Sequence, residues 1–166
     1  MKKIVGFKFS VLLMALLMSL NTFADKTKIL EWEDLIPPTE RLILDAWQSQ
    51  ANNSSEFALE PPQNIGKVRS ELNGNQVKIA GFVIPLEGDE ETISEMLLVP
   101  YFGACFHVPP PPANQIIHVT FKNAVKIKEL WDVVYVKGEL KTKRTINQFA
   151  EVGYVMEGYD IEVYEE

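Results

Sequence analysis

Residues 76–86 have the sequence Gln-Val-Lys-Ile-Ala-Gly-Phe-Val-Ile-Pro-Leu, and this stretch decides the fold class. β-Branched and apolar side chains dominate it, which is typical of a β-strand. Gly81 stands inside the stretch and predicts a bulge or a bend, because an interior glycine weakens a straight strand. A polar turn at residues 72–75 precedes the strand and an acidic loop at residues 88–92 follows it. The stretch therefore predicts one strand with clearly marked ends.

Further strands are predicted at residues 95–101, 115–121, 132–142 and 153–165. In residues 115–121, Ile117, Val119 and Phe121 lie on one face and Ile116, His118 and Thr120 on the other. Five or six short strands in about 100 residues favour a closed barrel, because closure removes exposed sheet edges. Gly81 and Gly138, each inside a long strand, fit strongly bent barrel strands. The predicted fold is all-β, a small OB-like closed barrel of five to six strands, and a β-sandwich is the alternative.

An N-terminal extension and linker are predicted at residues 25–66, ahead of a barrel domain at residues 67–166. Thr39 can cap a helix, and apolar residues continue on one side of that helix until about Gln50. Asparagine and serine at residues 52–55 then indicate a linker. We expect the barrel to fold without residues 25–50, although Trp32 and Trp47 could plug it.

The first 24 residues predict a secretory signal peptide. Three lysines precede a short apolar run, and Thr22-Phe23-Ala24 provides the small residues required for cleavage after Ala24. No cysteine lies near that point, which excludes lipoprotein anchoring. The cleaved chain keeps 13 basic and 23 acidic side chains, a net charge of −10. This charge argues against nucleic-acid binding, which depends mostly on basic residues that neutralise phosphates. We expect a periplasmic protein with no later membrane span.

Residues 99–115 have the sequence Val-Pro-Tyr-Phe-Gly-Ala-Cys-Phe-His-Val-Pro-Pro-Pro-Pro-Ala-Asn-Gln and contain the most reactive side chains. Four successive prolines favour an extended segment without backbone donors. Cys105 and His107 stand two positions apart, so in an extended chain their side chains point the same way. With His118, the only cysteine and both histidines fall within fourteen positions.

Thiolate and imidazole are preferred ligands of zinc and copper(I). Cys105, His107 and His118 are therefore predicted to bind a transition metal, most of all zinc, with Tyr101, Glu95 or water able to complete a tetrahedron. The spacing lacks the paired motifs of structural zinc sites, so two other roles stay open. Cys105 could be a structural residue of a binding module, or the thiol of an enzyme, which is the less favoured role.

In the binding-module alternative, the barrel and its proline run contact an envelope protein or a polymer. A single cysteine excludes an intramolecular disulfide, so the thiol itself has no structural partner in the chain. The predicted contact residues are Tyr101, Pro109, Pro110, Pro111, Pro112, Asn114 and Gln115.

The chain resembles a bacterial family of secreted proteins that carry a domain of unknown function. The resemblance rests on residues 81–87 (Gly-Phe-Val-Ile-Pro-Leu-Glu), residues 97–101 (Leu-Leu-Val-Pro-Tyr), and the run from Gly103 to Gln115 quoted above. It extends over most of residues 30–165. It implies export, no established activity and no known catalytic residues. It also implies a link to zinc supply, because some members are encoded near transporters linked to zinc supply.

Together, these patterns predict an exported periplasmic accessory protein. It binds zinc or another transition metal, or it supports a metal or ABC transporter of the envelope. The metal ligands expected on this interpretation are Cys105, His107 and His118.

Overall fold

The structure is a computed structural model, and it describes residues 26–53, 62, 65–102, 111–127, 133–146 and 151–164. The signal-peptide prediction for residues 1–24 lies outside these ranges. The strands are β1 (Lys28–Leu30), β2 (Asn75–Gly88), β3 (Thr92–Val99), β4 (Ile117–Lys126), β5 (Val133–Lys141), β6 (Thr145–Ile146), β7 (Glu151–Val152) and β8 (Tyr154–Val163). Among the described residues, one α-helix, α1, covers Pro38–Asn53, and short 3-10 turns cover Trp32–Leu35, Ser70–Leu72 and Ala113–Gln115.

Five strands close into a barrel in the order β2-β3-β4-β8-β5, with β5 pairing back onto β2. The β4–β8 pair is parallel and the other pairs of the barrel are antiparallel. β1 adds a sixth strand, parallel to the first half of β2, and β6 and β7 form a separate small hairpin. The prediction of a small closed barrel is confirmed.

Closure depends on the length of β2. Residues 75–82 of this strand pair with β5, while residues 82–88 pair with β3 on its other edge. The strand passes very close to its neighbour at Gly81, where an added Cβ would lie 2.8 Å from Cγ of Leu98. At Gly138 the corresponding distance is 2.6 Å, to the carbonyl oxygen of Glu157. Both glycines are therefore required by close approach.

The sequence predicted an irregular or bent strand at both Gly81 and Gly138, but the strand register shifts at only one of these two glycines. β5 shifts at Gly138 against β8, as expected for a bent barrel strand. β2 shifts after Pro85, against β3, and stays regular at Gly81. Proline lacks a backbone donor and is confined to edges and bulges, so Pro85 is the residue that sets the irregularity.

Alternation along the strands sorts the side chains into the barrel interior and its outer wall. Val77, Ile79 and Val83 of β2 point inward, as do Ile117 and Val119 of β4. The two faces predicted for residues 116–121 are thus confirmed: Ile117, Val119 and Phe121 belong to the core, and Ile116, His118 and Thr120 face outward.

The N-terminal extension is part of the barrel's packing. Leu30 and Leu35 are fully buried in the main core. The indole Nε1 of Trp32 donates a hydrogen bond to the Ala80 carbonyl over 2.7 Å. The buried Tyr154 hydroxyl donates to the Leu35 carbonyl over 2.8 Å. These contacts join residues 30–35 to the barrel core, and the folding of the barrel without residues 25–50 stays a prediction.

The helix α1 begins at Pro38, one residue before the predicted Thr39 cap, and continues to Asn53. Proline is favoured at the first helical position, because its missing N–H would have no partner there. Leu42 and Ile43 are 70% and 53% exposed, so the apolar side predicted for the helix does not face the core. No helix in the described part of the chain is long and apolar enough to span a membrane.

Leu35→Ala tests whether the extension belongs to the core. We expect the free energy of unfolding to fall by about 2–5 kcal/mol, because a fully buried leucine loses its contacts and leaves a cavity. Urea unfolding followed by circular dichroism measures the change. The matched control is Leu42→Ala in α1, which should change stability by less than about 0.5 kcal/mol. Equal effects of the two substitutions would support an independent barrel.

Candidate functional site at the β3–β4 edge

The outer wall of the barrel at β3 and β4 is unusually apolar. Leu97 and Val99 of β3 and Ile116 before β4 are fully buried, although they point away from the barrel interior. Ile84 and Val152 complete this second cluster. His118 follows Ile116 on the same face, so the imidazole lies at the border of an apolar surface.

The imidazole of His118 contacts the carboxylate of Glu95 across this border. Its Nε2 lies 2.7 Å from Oε1 of Glu95, and the two side chains are 20% and 34% exposed. The strand register pairs His118 with Leu97 and Glu95 with Thr120, so the contact runs diagonally between adjacent strands. The carboxylate fixes the orientation of the ring. When Nε2 carries the proton for this bond, Nδ1 is free to bind a further group.

The imidazole has no other hydrogen-bond partner in the part of the chain that the structure describes. Glu95, whose carboxylate lies next to His118, is one of the residues that the sequence analysis named as a possible additional metal ligand. No group of three potential metal ligands occurs within the described ranges. Cys105 and His107 lie outside those ranges, so their predicted convergence with His118 stays a prediction.

The connection that contains Cys105 and His107 starts and ends beside His118. Leu98 and Ile117 form the register pair nearest to the connection. Leu98 lies one residue before the end of β3, and Ile117 is the first residue of β4. His118 is the next residue of β4. The two ends of the connection therefore meet on neighbouring strands, one residue from the imidazole.

The predicted partner-contact residues separate into different environments. Tyr101 is 41% exposed, whereas Pro111 is buried and Pro112 is half-buried. Asn114 is fully buried, and Gln115 donates a hydrogen bond from Nε2 to the Trp32 carbonyl over 3.0 Å. Burial removes Asn114 from any surface that a partner could contact. Pro109 and Pro110 lie outside the described residues.

An exposed aromatic residue adjoins Tyr101. Phe102 is 65% exposed, and its ring meets that of Phe82 edge to face, with the centroids 6.1 Å apart. Tyr101 and Phe102 thus form a small apolar surface where the chain leaves β3. Of the predicted contact residues within the described ranges, Tyr101 is the one that a partner could readily reach.

A buried carboxylate connects the end of the proline run to α1, and the sequence did not indicate it. Glu40 is 3% exposed and accepts hydrogen bonds from the backbone of Gly66 and Lys67 and from Nδ2 of Asn114. The same Nδ2 of Asn114 donates to the Lys67 carbonyl over 2.9 Å. A first-turn helix glutamate is usually exposed, so only the burial distinguishes this one.

Comparisons with known proteins agree with this fold. A protein-family model described as a protein of unknown function, DUF3299, matches residues 32–163. A crystal structure of a DUF3299 family protein from Pseudomonas aeruginosa PAO1 is similar, with 33% sequence identity and a TM-score of 0.62. The similarity covers 84% of this chain and 97% of that chain. A search of curated proteins found no match.

Glu40→Ala tests the buried connection. We expect the free energy of unfolding to fall by about 3 kcal/mol or more, because three donors lose their acceptor inside the protein. Urea unfolding measures the effect. Glu33→Ala, which removes an exposed carboxylate from the preceding turn, is the control and should leave stability nearly unchanged. A similar small effect at Glu40 would show that water reaches these donors.

Proposed function

Because the chain belongs to the DUF3299 family of proteins of unknown function, its role has to be inferred from its own residues, and we propose that it is an exported, zinc-binding accessory protein. In this proposal it works in the periplasm, where it binds zinc or a related transition metal and supports an envelope metal transporter. Cys105, His107 and His118 are the proposed ligands.

The contact between His118 and Glu95 is the observation on which this proposal depends. Histidines that bind metals usually hold a carboxylate or a carbonyl with their second ring nitrogen, which fixes the tautomer and makes the free nitrogen more basic. Here Nε2 of His118 is held by Glu95 over 2.7 Å. Nδ1 is then the nitrogen that would face the ion, and Glu95 would orient the ring.

The position of the β3–β4 connection supports the same ligand set. Its two ends lie on adjacent strands beside His118, and within it stand the thiol of Cys105 and the imidazole of His107. A thiolate and two imidazoles match the preference of zinc for sulfur and nitrogen ligands. Three protein ligands leave a fourth position open, which suits transfer of an ion better than permanent retention.

The leader pattern predicted from the sequence is a separate argument for the proposal. Residues 1–24 have the pattern of a cleaved leader, and a free thiol in an oxidising compartment needs a partner or protection. Ligation to a metal would provide that protection, because the bound thiolate is no longer available for oxidation.

Metal content measured on untagged protein tests the ligand set. We expect about one zinc per wild-type chain and its loss in Cys105→Ser, His107→Gln and His118→Gln, since each removes one ligand. Glu95→Gln should lower zinc affinity by about 10- to 100-fold, the usual effect of losing the carboxylate behind a ligand histidine. Competition with a chromophoric chelator measures that affinity.

Glu90→Gln is the matched control, because Glu90 is an exposed carboxylate on the β2–β3 loop. It should bind zinc like the wild type. Wild-type protein without zinc, or full binding by Cys105→Ser and His118→Gln alike, would contradict the proposal.

The mass of the purified exported protein tests its localisation. We expect a periplasmic fraction whose chain starts at Asp25, because cleavage after Ala24 fits the small-residue rule. An intact Met1 on most of the protein, or recovery in the cytoplasm, would contradict export.

A second function, binding of an envelope protein or polymer, is favoured by Tyr101 and Phe102. Aromatic side chains are enriched at protein interfaces, and they are among the few residues that contribute most of the binding energy there. In this function Cys105 is structural. If the wild-type chain does not retain zinc, this second function becomes the better one.

A further inference from the structure

The two ends of the barrel are lined by different residues. β4 and β8 begin at one end, where Leu35, Leu72 and Tyr154 of the core fill the interior. β4 and β8 finish at the opposite end, where β3 and β5 begin. There a cavity of about 420 Å³, the barrel mouth, is lined by residues at the ends of β4, β5 and β8 and in the β2–β3 loop. This barrel mouth is far along the strands from the start of β4, where His118 lies.

The floor of the barrel mouth is apolar. Val134 and Val163 form a register pair between β5 and β8, and Ile161 and Ile127 stand beside them. Val134 and Ile127 are buried, while Val163 is 42% exposed. Small-molecule sites commonly have volumes of roughly 300–1,000 Å³, mostly apolar walls and a few polar groups, and they occur in the mouths of β-barrels. The volume here is at the small end of that range.

The rim of the barrel mouth carries one cation and one anion that have no ion-pair partner within the described ranges, Lys126 and Glu91. Their backbones are held side by side, because the Ile127 amide donates to the Glu91 carbonyl over 3.0 Å. The third charge at the rim, Glu162, is already paired with Lys78 over 2.6 Å and with Lys137. The charges open to a ligand are therefore a neighbouring ammonium and carboxylate.

We propose that the barrel mouth binds a small zwitterion with an apolar body, the chemistry of an apolar α-amino acid. The apolar side chain of the ligand lies on Val134, Ile161 and Val163. Its carboxylate pairs with Lys126 and its ammonium pairs with Glu91. A ligand with a single charge would make only one of these two contacts, which lowers its affinity. This site shares no residue with the proposed metal site and does not depend on it.

Calorimetric titration of the purified protein with L-phenylalanine tests the proposal. We expect saturable binding of one molecule per chain with a Kd of about 1 mM or tighter. Affinity should fall by about tenfold or more for 3-phenylpropanoate, which lacks the ammonium, and for 2-phenylethylamine, which lacks the carboxylate. Glycine, which has both charges and no apolar body, should not bind measurably.

Substitutions at the rim and in the floor test whether L-phenylalanine binds in the barrel mouth. Lys126→Met and Glu91→Gln should each weaken L-phenylalanine binding by about tenfold or more, and Val163→Trp, which fills the mouth, should abolish it. The matched controls are Lys122→Met, an exposed lysine of the same strand, and Glu90→Gln in the same loop; both should bind like the wild type. Circular dichroism verifies that each variant is folded.

Any of three results would overturn the proposal. One is the absence of saturable L-phenylalanine binding to the folded wild-type protein at about 10 mM, tenfold above the expected Kd. The others are equal binding by the three phenyl compounds, and binding that neither rim variant changes. Loss of zinc binding in the separate metal experiment would leave this result unaffected.

Discussion

The pairing of one long strand, β2, with neighbours on both edges is the constraint on which the rest of the structure depends. Its first half pairs with β5 and its second half with β3, so the sheet closes on itself. A strand can pair with two neighbours in this way only if it is long and can approach the adjacent strands closely. The absent side chain of Gly81 allows that approach to Leu98. Because the barrel closes here, the remaining strands have no free edge along most of their length.

Closure through β2 also explains the place of the N-terminal extension. β3 pairs only with the second half of β2, so the first half would have one open edge, and β1 occupies it. The chain then continues across the end of the barrel, where Leu35 enters the core. From there α1 brings Glu40 to the buried amide of Asn114. The extension therefore contacts both β2, the strand that closes the barrel, and the segment that follows the proline run.

The two proposed sites lie in different parts of the barrel, one on its outer wall and one at its far end. The outer wall at β3 and β4 presents His118, oriented by Glu95 and next to both ends of the cysteine-containing connection. The barrel mouth at the far end has an apolar floor and, at its rim, two charged side chains that have no ion-pair partner in the described residues. A metal site and a small-molecule site at separate places would allow one small protein to respond to two ligands. Each of the two sites depends on side chains that adjacent strands bring together.

The sequence by itself determined the fold class and the faces of the strands. Alternation over residues 116–121 is a local property of the extended chain, so it predicted correctly that His118 and Val119 lie on opposite faces. Strand bounds were less accurate: residues 95–101 became Thr92–Val99, and residues 115–121 became Ile117–Lys126. β3 ends at Val99 because Pro100 has no backbone donor for the ladder. A 3-10 turn at Ala113–Gln115 delays the start of β4.

Only the tertiary structure decided which polar residues meet. The sequence marked His118 and named Glu95 among several possible neighbours, but the strand register selected Glu95. It gave no sign that Glu40, a common first-turn residue, would be buried against Asn114, 74 positions later. Nor did it indicate that Lys126 and Glu91 would share the rim of a cavity. The alternation of side chains follows from the backbone of each strand alone, whereas contacts between distant residues depend on how the strands are ordered and closed.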